Sequence, residues 1–401
     1  MDVIYLSYLY SKKEYERLFK KFSSTSSHSG QKFHWLSAQG LTQNGCHVDA
    51  LTQRLPVHID KEEHKRPDET ENGVHYKYLP CFKNTLLNRF MVIFNGCRYI
   101  CKWHRSHKDG IAICDIDVGE FSIALWIASR FYRIKKVAYV TDVPSIRAGE
   151  KRKGIRTIPY RIKNALIQQY NGYVFLTEQM NKVLNKKKKP NIIIEGIVDE
   201  HVTDQPNTLE GKYPEKVCMM AGVLQDIFGV DDLLQAFMKV EDPDARLVLY
   251  GTGSSVETIQ TFGKTDPRIR YGGELLNTQI VSEEKKATLL INPRTPLEEW
   301  TAFSFPSKNM EYIASGTPML AFYLPSIPEE YLQYSFYITE TEDKVEQIKQ
   351  MLEKILGKDK KELFRIGMEA QDWIVKNKNA GMQTRKIVEL MSKMLNQRGL
   401  T

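Results

Sequence analysis
The stretch from Ala287 to Pro318 constrains the chain more than any other. The apolar run Ala287–Ile291 predicts a strand buried on both faces, and Ser307 is placed to cap a helix that Gly316 and Pro318 stop. The inward face of that helix is expected to be Met310, Ile313 and Ala314. A strand therefore hands the chain through a short loop to a helix start. In open α/β sheets ligands bind outside the carboxyl ends of strands, and a helix N-terminus offers free N–H groups and partial positive charge to a phosphate. Lys308 and Glu311 stand three apart, so they share a helix face and lean towards its N-terminal end, while Arg294 follows the strand. Two cations and a carboxylate suit a nucleoside diphosphate, the cations for its phosphates and the carboxylate for its ribose hydroxyls. A solvated Lys–Glu pair on a surface helix has the same letters.

The second half keeps this rhythm. Val217–Ala221, Arg246–Tyr250, Arg268–Tyr271 and Pro318–Phe322 read as further strands with helices between them, and three amphipathic helices follow from Asp343. Gly251-Thr252-Gly253 has the start of a dinucleotide fingerprint but lacks its third glycine, so it reads as a sheet-edge loop. In the first half, strands are expected at Val3–Tyr10, Val48–Leu51, His75–Leu79, Ile111–Ile116, Lys136–Thr141, Tyr173–Leu176 and Asn191–Glu195. A polar loop, Ser23 to Gly30, leads into a helix with Phe33, Leu36 and Leu41 inside, and the charged stretch Asp60 to Glu71 reads as a solvated loop.

Phe82 to Trp103 is the other informative segment. Phe82, Leu86, Phe90, Ile93, Cys97 and Cys101 recur at helical spacing, and Lys83, Arg89, Arg98, Lys102 and Arg105 supply cations. Such a helix either packs on the sheet with a wet basic face or lies in a lipid headgroup plane, assisted by Arg147, Lys151, Arg152, Lys153 and Arg156. Charge is divided unevenly: residues 1–200 carry 33 Lys+Arg against 20 Asp+Glu, a balance of +13, and residues 201–401 carry 24 against 29, a balance of −5. A basic half favours an anionic surface. No run approaches the apolar length needed to span a bilayer, and Val3–Tyr10 lacks the leading basic segment of a secretory signal. The six cysteines show neither C-x-x-C spacing nor a disulfide framework, and reduced thiols in the cytosol are expected.

The run Leu289 to Ala321, with Phe305-Pro306-Ser307-Lys308, Glu311-Tyr312 and Ser315-Gly316-Thr317-Pro318, resembles the donor-binding segment of the family 4 retaining glycosyltransferases. Within them it is most similar to the branch that builds bacterial capsule and exopolysaccharide. The resemblance implies the α/β GT-B fold, two Rossmann-like domains with parallel sheets facing a central cleft. It places an acceptor- and membrane-facing domain at 1–200, a nucleotide-sugar-binding domain at 201–375, and a last helix within 376–401 that crosses back to the first domain. It implies metal-independent hexosyl transfer, with a UDP- or GDP-linked sugar as co-substrate and no cofactor, to a glycan or lipid-linked glycan. The chain is expected to work in the cytoplasm, peripherally on the inner membrane face, without nucleic acid.

The same resemblance assigns residues. Asp142, Arg294 and Lys308 are the candidate catalytic groups; Glu311, Ser307, Phe305, Glu299 and Gly222 are candidates for donor binding. Ser29, Gly30 and Asp115 fall on the acceptor side, and Asp142 reads equally as a cap for the segment after it. The chain also departs from the family pattern. Phe303 stands where many members have a glutamate eight positions before the second, and Val223 and Phe228 replace an arginine and a lysine. These departures leave two further readings open, an inactive nucleotide-sugar-binding scaffold and a nucleotide-sugar epimerase of the same architecture.

Overall fold
The computed structural model describes residues 1–22, 28–53, 64–143, 146 and 158–396. Ser23–Ser27, most of the Asp60–Glu71 stretch's first part and the Arg147, Lys151, Arg152, Lys153 and Arg156 cluster lie outside the described residues. The chain divides into two compact units: Met1–Ile197 with Ala380–Thr401, and Val198–Asn379. It passes between them twice, and the two crossings are neighbours, because Val198 and Asn379 form an isolated bridge.

The strands of the first unit are β1 (Asp2–Ser7), β2 (His47–Thr52), β3 (Glu69–Glu71), β4 (Val74–Tyr78), β5 (Ile111–Asp115), β6 (Lys135–Val140), β7 (Gly172–Phe175) and β8 (Asn191–Ile193). Their order is β3-β4-β2-β1-β5-β6-β7-β8, parallel except for β3. β1, β5, β6 and β7 are nearly continuous apolar runs because helices cover both faces of a parallel sheet. The helices are α1 (Lys12–Phe22), α2 (His28–Gln43), α3 (Thr85–Ser106), α4 (Gly119–Phe131), α5 (Ile158–Ile167) and α6 (Glu178–Leu184). Leu36, Ala38 and Leu41 of α2 share one core with Val3, Tyr5, Ile113 and Tyr139 of the sheet. The short β3 corrects the reading of Asp60–Glu71 as loop throughout. Its Glu-Thr-Glu carries no apolar alternation, and only antiparallel pairing with β4 makes it a strand.

The structure also corrects which stripe of α3 faces inward. Asn88, Val92, Gly96, Ile100 and Trp103 are buried, and Gly96 brings the helix against Phe121 and Ala124 of α4. The stripe read from the sequence faces outward at its start: Leu86 is 77% exposed and Phe90 64%, with Phe94 beside them at 53%. Asn88 and Gly96 interrupt the apolar signal of the packed side, where α4 lies close, so hydrophobic spacing alone did not single it out.

In the second unit the strands are β9 (Lys216–Val223), β10 (Ala245–Thr252), β11 (Ile269–Gly273), β12 (Leu289–Asn292), β13 (Met319–Phe322) and β14 (Phe336–Ile338). The helices are α7 (Val230–Met238), α8 (Val256–Thr265), α9 (Asn277–Lys286), α10 (Ser307–Ser315), α11 (Lys344–Leu356) and α12 (Lys360–Lys378). All strands are parallel in the order β11-β10-β9-β12-β13-β14. Strand order reverses between β9 and β12, and the carboxyl edge of such a reversal is where a doubly wound sheet opens a crevice. The last helix, α13 (Ala380–Asn396), belongs to the first unit, where its Ile387, Leu390, Met391 and Met394 enter the core beside α2.

Candidate functional site
β9 and β12 both end at the reversal, and α10 begins beside them. Tyr312 fastens the helix there: its hydroxyl accepts from the amide of Ala221 at 2.8 Å and donates to the carbonyl of the same residue at 3.1 Å. β12 has diverged from β9 by this point, since its pairing covers only Cys218 and Met219, so Tyr312 satisfies backbone groups that a neighbouring strand would otherwise take. Met310, Ile313 and Ala314 face the core as expected.

The first turn of α10 corrects one expectation. Pro306 holds the capping position, with no side-chain cap, and Ser307 is the first helical residue and exposed. The leading N–H groups of the helix are thus not taken by a serine hydroxyl. Lys308 runs over the end of β9, its Cε 3.3 Å from the point where a Cβ on Gly222 would lie. Gly222 has φ +137°, a conformation that also disfavours any side chain there. Lys308 Nζ donates to Glu311 Oε2 at 2.7 Å, and both side chains remain partly exposed. Burial works against the lysine's charge, but Glu311 beside it more than offsets that, holding its ammonium above the usual lysine range.

Arg294 takes a different course. Its guanidinium lies 3.9 Å from the centroid of Trp300, Nη2 donates to the Ser304 carbonyl at 3.0 Å, and the residue is 7% exposed. Burial pushes its pKa down, and among the described residues no carboxylate pairs with it. It therefore stands inside the β12–α10 loop and not beside Lys308 as a second open cation. Phe305 is a core residue against Tyr331, so only its backbone is free to meet a ligand. Glu299 opens a 3-10 turn, Glu299–Phe303, and is exposed. Beyond β10, Leu224 N–H donates to the Thr252 carbonyl at 2.9 Å, which makes Gly251-Thr252-Gly253 a sheet edge.

The first unit has its own reversal, between β1 and β5. There Ser7 Oγ donates to Asp115 Oδ2 at 2.9 Å, His34 Nε2 lies 3.1 Å from the same oxygen, and Tyr5 Oη is 2.7 Å from His34 Nδ1. The Asp117 amide donates to Asp115 Oδ1 at 2.8 Å. Burial opposes ionisation of Asp115, but these partners outweigh it and its pKa is lowered. Asp142 follows β6, half-buried, and Thr141 Oγ1 donates to Asp117 Oδ2 at 2.8 Å. Ser29 and Gly30 lie in the first turn of α2, not in a loop. His34 and Trp300 escaped the sequence reading because a lone histidine and a lone tryptophan at helical or loop positions carry no spacing signal.

Residues 215–358 match the family model described as "Glycosyl transferases group 1". No curated protein matches the chain. Solved structures do. Sucrose-phosphate synthase of Thermosynechococcus elongatus superposes with a TM-score of 0.69 at 12% identity, covering 99% of this chain and 100% of that one. HepE of Anabaena, in complex with UDP, gives 0.64 at 13% identity over 98% and 100%. The lipopolysaccharide outer core galactosyltransferase WaaB gives 0.62 at 12% identity over 98% and 99%.

The fold is GT-B. Together with the group 1 match over most of the second unit, these likenesses support a GT-B glycosyltransferase. Within a GT-B chain, the β9–β12 reversal and the start of α10 both lie inside the matched segment. Among the described residues no helix is long and apolar enough to cross a membrane, and no group of three or more His, Cys, Asp or Glu is placed to hold a metal ion.

Proposed function
We propose that the protein is a retaining glycosyltransferase that moves a hexose from a UDP- or GDP-linked donor to a glycan acceptor, lipid-linked and destined for a surface polysaccharide. The observation that carries this reading is Lys308 lying over Gly222 with Glu311 at its ammonium, at the carboxyl edge where strand order reverses. A diphosphate leaving the sugar gains negative charge, and a fixed ammonium and the uncapped N–H groups of α10 stabilise it without a metal. Glu311 is released from Lys308 to accept the ribose hydroxyls. Ser307, Gly222 and the backbone of Phe305 line the donor, with Glu299 at the rim. Asp142, Asp115, Ser29 and Gly30 serve the acceptor side in the first unit. UDP bound to HepE, a GT-B neighbour, agrees with a nucleotide donor.

The same reading places the protein on the cytoplasmic face of an anionic membrane. Leu86, Leu87, Phe90 and Phe94 are exposed on α3, the two phenylalanine rings stack 6.5 Å apart, and exposed Lys83, Arg89 and Arg98 flank them. Apolar side chains framed by cations suit an acidic lipid surface. A thermal-shift panel of UDP- and GDP-sugars tests the donor. A ligand at one hundred times its Kd stabilises the native state by about 2.7 kcal/mol, so one nucleotide sugar should raise Tm clearly. No shift with any of them would remove the donor site. Sugar release from the stabilising donor separates an active transferase from a scaffold, and an epimerised sugar nucleotide would replace transfer by epimerisation.

A further inference from the structure
Two loops meet at the β9–β12 reversal. The β9–α7 loop presents Phe228 edge-on to Trp300 of the β12–α10 loop, with centroids 5.8 Å apart and planes at 90°. On Trp300 also lies the Arg294 guanidinium, at 3.9 Å, and both residues are more than nine-tenths buried, at 8% and 7% exposure. The loops touch again next door: Gly229 has φ +82°, and a Cβ on it would stand 2.3 Å from the Pro293 carbonyl oxygen. Among the described residues, Arg294 Nε and Trp300 Nε1 find no acceptor. Ring stacking, more than hydrogen bonding, therefore holds the pair.

From this arrangement we infer that Trp300 is a positioning residue for the donor site. Clamped between Phe228 and Arg294, it fixes the path from Pro293 to Pro306, and with it the place of the first turn of α10 and of Lys308. The inference rests on the reading of this reversal as the donor site. A desolvated cation over an indole face is attracted strongly, and among the described residues no carboxylate pairs with Arg294, so the indole face and the Ser304 carbonyl together hold it buried. If the indole is removed, Arg294 turns to water and releases the Ser304 carbonyl, two residues before the cap of α10. Phe228 is then not merely a lost cation: the ring that stands there anchors the tryptophan that organises the loop.

The test is calorimetric titration of the full chain with UDP and, separately, GDP, beside circular dichroism and thermal unfolding. For the wild type, one of the two nucleotides should bind. Lys308→Ala should weaken that binding more than tenfold. Trp300→Leu, Arg294→Met and Phe228→Leu should each weaken it roughly three- to thirtyfold with the native spectrum retained. Trp300→Phe, which keeps an aromatic face for Arg294, should recover most of the loss. Indole emission should change on nucleotide addition in the wild type and change less in Trp300→Phe. If neither nucleotide binds, or Lys308→Ala binds normally, the donor-site reading falls and the inference with it. If Lys308→Ala is weakened while Arg294→Met and Trp300→Leu bind as the wild type does, the donor site stands and the clamp is overturned. Should Trp300→Leu fail to fold, Arg294→Met and Trp300→Phe decide: equal wild-type affinity in Arg294→Met overturns the clamp.

Discussion

The side chain of Lys308 crosses the α-carbon of Gly222, leaving 3.3 Å between its Cε and any Cβ added there. Gly222→Ala would meet both this contact and a φ of +137°. Holding a non-glycine residue in such a region costs on the order of 1–3 kcal/mol, and the easiest relief is to push Lys308 aside. The variant should bind the preferred nucleotide about tenfold more weakly or worse, measured by calorimetry; wild-type affinity would separate Gly222 from the site.

Glu311→Ala should weaken nucleotide binding without unfolding the chain. The Lys308–Glu311 pair is partly exposed, at 33% and 24%, so its share of stability is at most about 1 kcal/mol. Losing a group that meets a bound ligand's polar atoms costs more, roughly 2–5 kcal/mol for a buried charge contact. Lys308→Ala should lose donor-dependent turnover by orders of magnitude, because charge grows on the diphosphate as the sugar departs, whereas Lys264→Ala, in the last turn of α8 and without a role in the proposed site, should not. A Glu311→Ala variant whose Tm falls sharply while its affinity holds would assign the glutamate to the fold.

Tyr312→Phe removes both partners of Ala221 at once. The buried amide and carbonyl are left unsatisfied, which costs about 1–3 kcal/mol for each, so Tm should drop by several degrees or more. An unchanged Tm would mean that water replaces the hydroxyl.

Lys212 provides a pH test. Its Nζ donates to Thr317 Oγ1 at 2.8 Å and to the Ala287 carbonyl at 3.0 Å, and burial pushes its pKa down to about 7. The unfolded chain then binds more protons than the native one between about pH 7 and the ordinary lysine pKa of about 10.4, so this group's contribution to stability rises with pH across that window. Lys212→Met should therefore compare best with the wild type near pH 6–7 and progressively worse towards pH 10. A pH-independent difference in urea unfolding would contradict a depressed lysine.

Membrane attachment through α3 predicts that Phe90→Ser and Leu86→Ser leave the fold intact, since these residues are 64% and 77% exposed, yet release the protein from anionic vesicles. Seating each side chain in the headgroup region is worth up to about 2 kcal/mol. Added salt should weaken the same attachment. Co-sedimentation that ignores the two serines, salt and acidic lipid alike would remove this surface.

What the sequence determined by itself was the architecture and the segment from which the donor site is proposed. Continuous apolar runs such as Ile111–Cys114 and Leu289–Ile291 are legible because a parallel strand is buried on both faces, and Ser307–Ser315 is legible because its apolar residues recur at helical spacing and a glycine ends it. Local periodicity also brought Lys308 and Glu311 onto one face. Only the tertiary structure decided what distant segments do to one another. It showed Lys308 over Gly222, Tyr312 on Ala221 and Phe228 on Trp300, pairings between segments far apart in the chain, and it withdrew Arg294 against Trp300 of its own loop. It likewise turned α3 so that Leu86 and Phe90 face outward, because Gly96 allows α4 to pack on the opposite side. Burial is decided by which neighbour arrives, and a side chain's hydropathy is only one of the terms in that choice.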